Sequence, residues 1–430
     1  MSGPNSSLSA ARAVHGLRAN WRQFVLLVAV SCFVGAMVGL QRSVLPLLAH
    51  DEFGVGSTTA VLGFVATFAF AKAVTNLAVG PLSGRFTRRH LLIAGWVAGA
   101  PVPLMIIFAP SWGWVLAANL LLGVNQGLTW SMTVNMKMDL AGPRRRGLAL
   151  GINESAGYLA VAVAAFLSGL VAEAYGLRPE PFYLGIAVAA GGLALSAFFV
   201  KDTAHLLAAE RSPRPPTPRN GLRTSFAEAS WRDRELFGIT QAGFINNLND
   251  ALAWGVFPLY FAAHGLSLDR IALLAGVYPL VWGGLQLVTG ALSDVTGRKS
   301  LIVAGMLLQG GALVTIGVSH GFTAWLAAVS LLGMGTAMVY PTLLAAIGDS
   351  AAPQQRAATL GVYRFWRDGG AVAGALAAGI LADVFNFEAA IIAIAALTFA
   401  SGLTAQVSMG QTQKLSRGSP APLRAQRTER

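Results

Sequence analysis

Cysteine and charge are what this chain has least of. Among 430 residues there is one cysteine, Cys32, so an intrachain disulfide is excluded and no zinc site can rest on thiolates. The six histidines, at positions 15, 50, 90, 205, 264 and 320, include no i,i+4 pair, which removes a histidine-built metal site on one helix face. H-E-x-x-H and G-x-x-x-x-G-K-[ST] are both missing, and with them the zinc-hydrolase helix and the phosphate-cradling loop of nucleotide hydrolases. The chain reads as neither an enzyme nor a nucleotide-driven pump, with no metal and no cofactor. Charged residues make up 12% of it, about half the share of a soluble domain. Acid is the scarcer sign, with 19 Asp and Glu against 31 Lys and Arg.

What fills the chain instead is apolar: 54% of residues, with a mean hydropathy of +0.58. Runs of about 20 apolar residues recur from end to end, the length a helix needs to cross a bilayer. A span must satisfy its backbone hydrogen bonds internally, so these are helices; a barrel would show short alternating segments. They fall near 23–48, 57–80, 90–109, 113–138, 147–173, 181–200, 236–262, 270–292, 300–318, 322–347, 357–382 and 388–408. The first is too long for a signal-peptide core and is expected to be retained.

This map sorts the 31 basic residues into 24 on one side, two on the other (Arg178, Arg270) and five inside spans (Arg42, Lys72, Lys137, Arg364, Arg367). The crowded side is cytoplasmic by the positive-inside rule, which places both termini inside. The net charge of +12 is thus a topology signal, and nucleic-acid binding is not expected. The domain reading is a tail at 1–22, a six-helix half at 23–200, a linker at 201–235, a second half at 236–408 and a basic tail at 409–430. In the linker, SPRPPTPRN is expected to be extended, and 221–235 to form a surface helix with Phe226 and Trp231 against lipid headgroups.

The two halves repeat. Gly80 to Arg89 reads GPLSGRFTRR, and Gly290 to Lys299, 210 positions later, reads GALSDVTGRK. The same shift aligns residues 80–172 with 290–382 without a gap. It pairs Arg88 with Arg298, Asp139 with Asp349, Pro143 with Pro353, Arg146 with Arg356 and Gly169 with Gly379. Shared Ala, Leu and Gly are expected of any membrane helix, but composition does not place charges and prolines in register. Two six-span halves in parallel repeat put a binding site between them near the midplane.

These turns resemble the signature loop of the major facilitator superfamily, G-x-L-a-D-r-x-G-r-r, between spans 2 and 3 and again between 8 and 9. The second copy fits at Gly290, Leu292, Asp294, Gly297, Arg298 and Lys299; the first keeps Gly80 and Arg88 but has Gly84 for the acid and Thr87 for the second glycine. The resemblance covers the chain from span 1 to span 12. It implies an all-α membrane protein of twelve helices in two six-helix halves, and ion pairs of Arg88 with Asp139 and of Arg298 with Asp349. It also implies that the signature acid braces the inward-closed state, here at Asp294 alone. The family's span 4 motif R-x-x-q-G keeps Gln126-Gly127 but has Gly123 for its Arg, which puts the usual proton-coupling route in doubt. The antiporter pattern G-P-x-x-G-G is missing from span 5.

A charge at mid-membrane costs about 2.5–3.5 kcal/mol, so the charges inside spans need partners, water or a task. Asp250, about 14 residues into span 7 after Asn246, Asn247 and Asn249, is the first candidate for carrying a proton. Asn246, Asn249 and Asp250 share a face and could line a cavity, or could serve as a clamp between helices. Arg42, Asn125 and Gln126 complete the candidate substrate and proton pathway. Lys72, Glu154, Arg364, Arg367 and Asp368 form a candidate gate network, with Arg364 and Asp368 able to pair at i,i+4. Cations exceed acids inside the spans by five to three, which leans towards an anionic or zwitterionic solute.

The expected function is secondary transport of a small organic molecule by alternating access, coupled to protons and directed outward. Uptake of an organic anion is the alternative, and a non-transporting membrane sensor the alternative class. The expected partners are the solute, protons and the lipid bilayer of an inner or plasma membrane, with a monomer as the working unit.

Overall fold

The computed structural model of the protein describes residues 18–141, 146–203, 206, 221–351 and 356–410. The Arg144–Arg145 pair, Pro143, Pro353 and the Pro-rich linker lie outside these residues. Among the described residues every regular element is helical. Twelve spans follow in order: span 1 Trp21–Asp51, span 2 Thr58–Ser83, span 3 Arg88–Ile107, span 4 Trp112–Ala141, span 5 Arg146–Tyr175 and span 6 Glu180–Phe199. Span 7 runs over Arg234–Ala251, Leu252–Val256 and Phe257–Ala263. Then come span 8 Leu268–Thr296, span 9 Arg298–Val318, span 10 Phe322–Ser350, span 11 Arg356–Val384 and span 12 Phe387–Ser408.

Nine of these are apolar enough by composition to cross a bilayer; spans 4, 7 and 11 are not. They are the spans that carry Asn125-Gln126, Asn246 to Asp250, and Arg364 to Asp368, and polar spans belong in the bundle interior, where partners exist.

Proline sets the breaks. Span 3 is interrupted between Arg88–Gly99 and Val102–Ile107, where Pro101 and Pro103 cannot donate a backbone hydrogen bond. Span 1 is interrupted after Arg42, just before Pro46. In span 7, Pro258 leaves the carbonyl four residues back, that of Trp254, without its donor. The helix widens there into a π turn, Leu252–Val256, which turns the Trp254 ring inward.

Spans 1–6 and 7–12 form two halves that meet along two seams, span 5 on span 8 and span 2 on span 11. Both seams close most tightly at the face away from the signature turns, here the far face. A Cβ on Gly169 would collide with Ala272 of span 8, and one on Gly379 would lie 2.6 Å from the Thr59 Cα of span 2. These two glycines are partners under the 210-residue shift, so each seam uses the same small-residue contact to bring backbones together. Beside Gly80, Gly290 and Gly361, on the basic face, the space is open. The halves close tightly at the far face and more loosely towards the basic face, where a Cβ on Gly151 would lie 3.8 Å from Leu287 of span 8.

The two signature turns differ as their sequences do. Gly297 has φ 92°, a conformation that favours glycine, whereas Thr87 has φ −70° and caps span 3 through its hydroxyl. The linker helix also departs from expectation. Phe226 packs on Phe365 and Trp366 of span 11, with ring centroids 6.1 and 5.9 Å away, and Trp366 donates to Ser230. Phe226 is thus half-buried against protein, while Trp231 stays 62% exposed.

Candidate functional site

A small cavity, with about 30 Å³ of room, lies between the halves. Val38, Phe68, Lys72, Gln126, Trp130 and Tyr158 line it from the first half, and Asn247, Trp254, Arg367 and Asp368 from the second. Aromatic rings carry its wall across the seam: Tyr158 lies on Trp282 with centroids 3.6 Å apart, Trp130 stands 5.3 Å from Tyr158, and Trp282 meets Tyr340 at 5.6 Å. A wider hollow of about 410 Å³ sits at the rim of the far face, but its only ionisable side chains, His50 and Asp51, are exposed and bonded to each other.

Asp368 ties the halves together. Lys72 approaches it at 3.5 Å and Asn76 donates to it at 2.7 Å, both from span 2. Asn76 in turn accepts from Ser131 of span 4. Arg367 lies between two carboxylates, 3.5 Å from Asp368 and 4.0 Å from Asp250, with its guanidinium 4.3 Å over the Tyr340 ring. Arg364 makes no described ion pair with Asp368, because Lys72, Asn76 and Arg367 already surround that carboxylate.

Asp250 is fully buried. Its Oδ1 accepts from the Tyr278 hydroxyl at 2.5 Å, and its Oδ2 has no hydrogen-bond partner among the described residues. Asn246 and Asn249 share its helix but turn into the second half, where both bond to Gln309 and Asn249 also accepts from Thr398. Asn247 faces the cavity in their place. In span 4, Gln126 lines the cavity and donates to the Val34 carbonyl, while Asn125 turns to the Gly95 carbonyl of span 3.

Glu154 gathers donors from both halves: Trp130 at 2.9 Å, Asn153 at 3.1 Å and, across the seam, the Tyr340 hydroxyl at 3.0 Å. The Asn153 carbonyl oxygen accepts from Ser31, which also accepts from Lys137 at 2.6 Å. A buried hydrogen-bonded chain therefore runs from Lys137 through Ser31, Asn153 and Glu154 to Tyr340. Arg42, 2% exposed, is stacked among rings: Trp254 at 4.2 Å, Phe68 at 5.0 Å and Phe64 at 6.0 Å.

At the basic face, Arg88 pairs with Asp139 at 2.7 Å, and Arg298 with Asp349 at 3.1 Å and Asp294 at 2.5 Å. All of these pairs stay within one half. At the far face a carboxylate crosses over: Asp383 of span 11 accepts from the Ser57 hydroxyl (2.7 Å), Thr58 N (2.5 Å) and Thr59 N (3.0 Å) at the start of span 2.

Sequence reasoning missed Tyr158, Trp254, Tyr278, Tyr340 and Asp383. The available signal for the first four was large rings in the interiors of spans 5, 7, 8 and 10. One string needed structure to read correctly. Gly317 to Gly321, GVSHG, matches the nucleophile pattern G-x-S-x-G, but it ends a helix rather than following a strand, and Ser319 donates to the Thr315 carbonyl of the preceding turn.

The comparisons with known proteins agree with this geometry. The family model for the Major Facilitator Superfamily matches residues 27–241 and again 239–425. Multidrug resistance protein MdtG of Proteus mirabilis is 24% identical over 408 residues, covering 92% of this chain and 98% of its own. The MFS-type transporter MJ1560 of Methanocaldococcus jannaschii is 20% identical over 346 residues, 79% of this chain and 87% of its own. Among solved structures, a POT family transporter in complex with a thioalcohol-conjugated peptide has a TM-score of 0.74 over 90% of this chain and 96% of its own. The nucleoside transporter NupG has a TM-score of 0.72 over 90% of this chain and 100% of its own. Both structures are 12% identical to the chain and share its fold. Twelve helices in two repeated halves, a polar cavity on the seam and a family match in each half lead to one identity: the chain belongs to the Major Facilitator Superfamily and is a membrane transporter.

Proposed function

We propose that this transporter exports a small organic solute in exchange for protons, moving it through the central cavity by alternating access, with Asp250 as the proton carrier. The observation that carries the reading is the setting of Asp250: a fully buried carboxylate with one oxygen on Tyr278, the other unbonded, and Arg367 at 4.0 Å. A proton on that oxygen removes the charge of Asp250, so Arg367 is no longer shared between two carboxylates. The guanidinium is then left to Asp368, the carboxylate that Lys72 and Asn76 hold across the seam. Protonation at Asp250 thus alters the cross-half attachment without contact between proton and solute.

Two further points support the reading. Taking the basic face as cytoplasmic, the more loosely packed side of the seams faces inward, where an exported solute would be collected. The relatives that span nearly the whole chain include multidrug resistance proteins.

The test is transport in proteoliposomes loaded with a pH-sensitive dye, screened over anionic, cationic and neutral solutes at opposite pH gradients. Solute-dependent proton flux that disappears in Asp250→Asn is the expected result, and its sign gives the direction. Solute movement without proton flux would remove the role of Asp250. Binding without movement would favour the sensor reading.

A further inference from the structure

Arg42 is a buried cation that feels the charge of Asp250 but makes no ion pair among the described residues. The other buried basic side chains of the site are provided for: Lys72 by Asp368, Arg367 by Asp250 and Asp368, and Lys137 by Ser31 and the Leu27 carbonyl. Arg42 has no ion pair among the described residues, and its Nε and Nη2 are buried without hydrogen-bond partners. Three aromatic faces surround it. They attract the cation but accept none of its N–H bonds, so the cost of burying them stays uncompensated.

The identity of the unbonded atoms is informative. Nε and Nη2 are the side-on pair of a guanidinium, the fork that holds the two oxygens of a carboxylate in parallel. The Trp254 indole N–H, on the ring stacked over Arg42, is also buried without a partner. Three unsatisfied donors therefore lie together behind Trp254 and Phe68, two rings that line the cavity. Trp254 belongs to the π turn ahead of Pro258, a part of span 7 where the regular helical ladder is already broken. Its ring separates Arg42 from the cavity.

We infer that Arg42 anchors a carboxylate carried by an aromatic or apolar solute, which enters the cavity and reaches the guanidinium fork as the Trp254 ring moves aside. The inference rests on the transport reading for calling this ligand the cargo. The fork selects a planar oxyanion, the Trp254 N–H offers a third bond to it, and Phe68, Trp130 and Tyr158 take the solute's apolar body.

The full chain, purified in lipid nanodiscs, tests this with three probes of one shape: 2-naphthoate, 2-naphthamide and 2-naphthylmethylammonium. Affinity is read by titration calorimetry. Wild type should bind naphthoate about 30- to 100-fold more tightly than the amide, the worth of two charge-assisted hydrogen bonds. Arg42→Gln should remove that discrimination. Arg42→Lys keeps the charge but not the fork, and should retain about a tenth of the discrimination; it serves in place of the Gln variant should that one fail to fold. Equal binding of amide and carboxylate, preference for the ammonium, or discrimination that survives Arg42→Gln would overturn the inference. So would discrimination lost in Lys72→Gln but kept in Arg42→Gln, which would place the anion on the other cation. The two readings fail separately: Arg42-dependent binding of naphthoate without movement in proteoliposomes leaves the anchor and removes transport, and transport of cations indifferent to Arg42 does the reverse.

Discussion

Removing the carboxylate of Asp383 should open the far face. Asp383 takes the first two backbone N–H groups of span 2 and the Ser57 hydroxyl. Those amides are the ones a helix start leaves without partners, and the positive end of the helix favours an anion there. Loss of an N-terminal cap costs about 1 kcal/mol, and the helix-end charge term about 0.3–1 kcal/mol. Ser57 also caps its own helix through Ala60 N, so part of the cap survives the change. Asp383→Ala should therefore weaken the closed far face by about 1.4 kcal/mol, a shift of roughly tenfold in the closed-to-open ratio. The assay is pulsed electron resonance between spin labels on Gly56→Cys and Phe385→Cys, in a Cys32→Ala background in lipid nanodiscs. A longer-distance population should grow by that factor. The repeat supplies the control. Glu173 stands 210 positions before Asp383, above the first turn of span 8, where Ser267 and Asp269 correspond to Ser57 and Thr59. It is exposed and makes no described hydrogen bond there, and Asp269 already places a carboxylate at that helix start. Glu173→Ala should leave the distances unchanged. An unmoved distribution in Asp383→Ala, or an equal shift in both variants, would refute the reasoning.

Three other outcomes follow from the same structure. Gly379→Leu puts side-chain atoms where only 2.6 Å separates a Cβ from the Thr59 Cα, so the same labels should report a separated far face at normal protein levels. Glu154→Gln keeps the shape but trades an acceptor oxygen for an amide donor facing Trp130, Asn153 or Tyr340. Initial transport rates should fall at least about tenfold while membrane protein changes less than twofold; equal loss of both would make Glu154 a structural residue. Pro258→Ala restores a donor for the Trp254 carbonyl and should return the π turn to regular helix. Loss of naphthoate affinity with an unchanged or higher unfolding temperature is expected, and unchanged affinity would detach the π turn from binding.

The architecture was legible because the signals for it are local or repeated. Apolar runs, basic turns and a 210-residue register identify the spans, and Pro101 with Pro103 marked the break in span 3. The pairing of Arg88 with Asp139 and of Arg298 with Asp349 followed from the resemblance of the two turns to the family's signature loop. The site was less so. Helical spacing put Asn246, Asn249 and Asp250 on one face, but spacing does not say which neighbour that face meets; two of the three meet Gln309. Trp254 depends on a π turn that shifts the angular register of span 7, which a regular period of 3.6 does not anticipate. Asp383 and its amides are more than 320 residues apart in the chain, and backbone donors leave no mark in a sequence.

The hydrogen-bonded chain that ends at Tyr340 sets a condition on the transport cycle. Tyr340 is the only member from the second half, and it is the donor described for one oxygen of Glu154. In the alternating-access cycle proposed above, that phenol would leave with span 10 while Trp130 and Asn153 stay. One carboxylate oxygen is then bare, in a place that has just lost its cover. Water or a proton must fill the gap before the opposite state can persist, so the pace of rocking is tied to solvent reaching a single atom. A solute that keeps the cavity dry would hold the transporter shut, and one that carries its own hydroxyl to Glu154 would speed it.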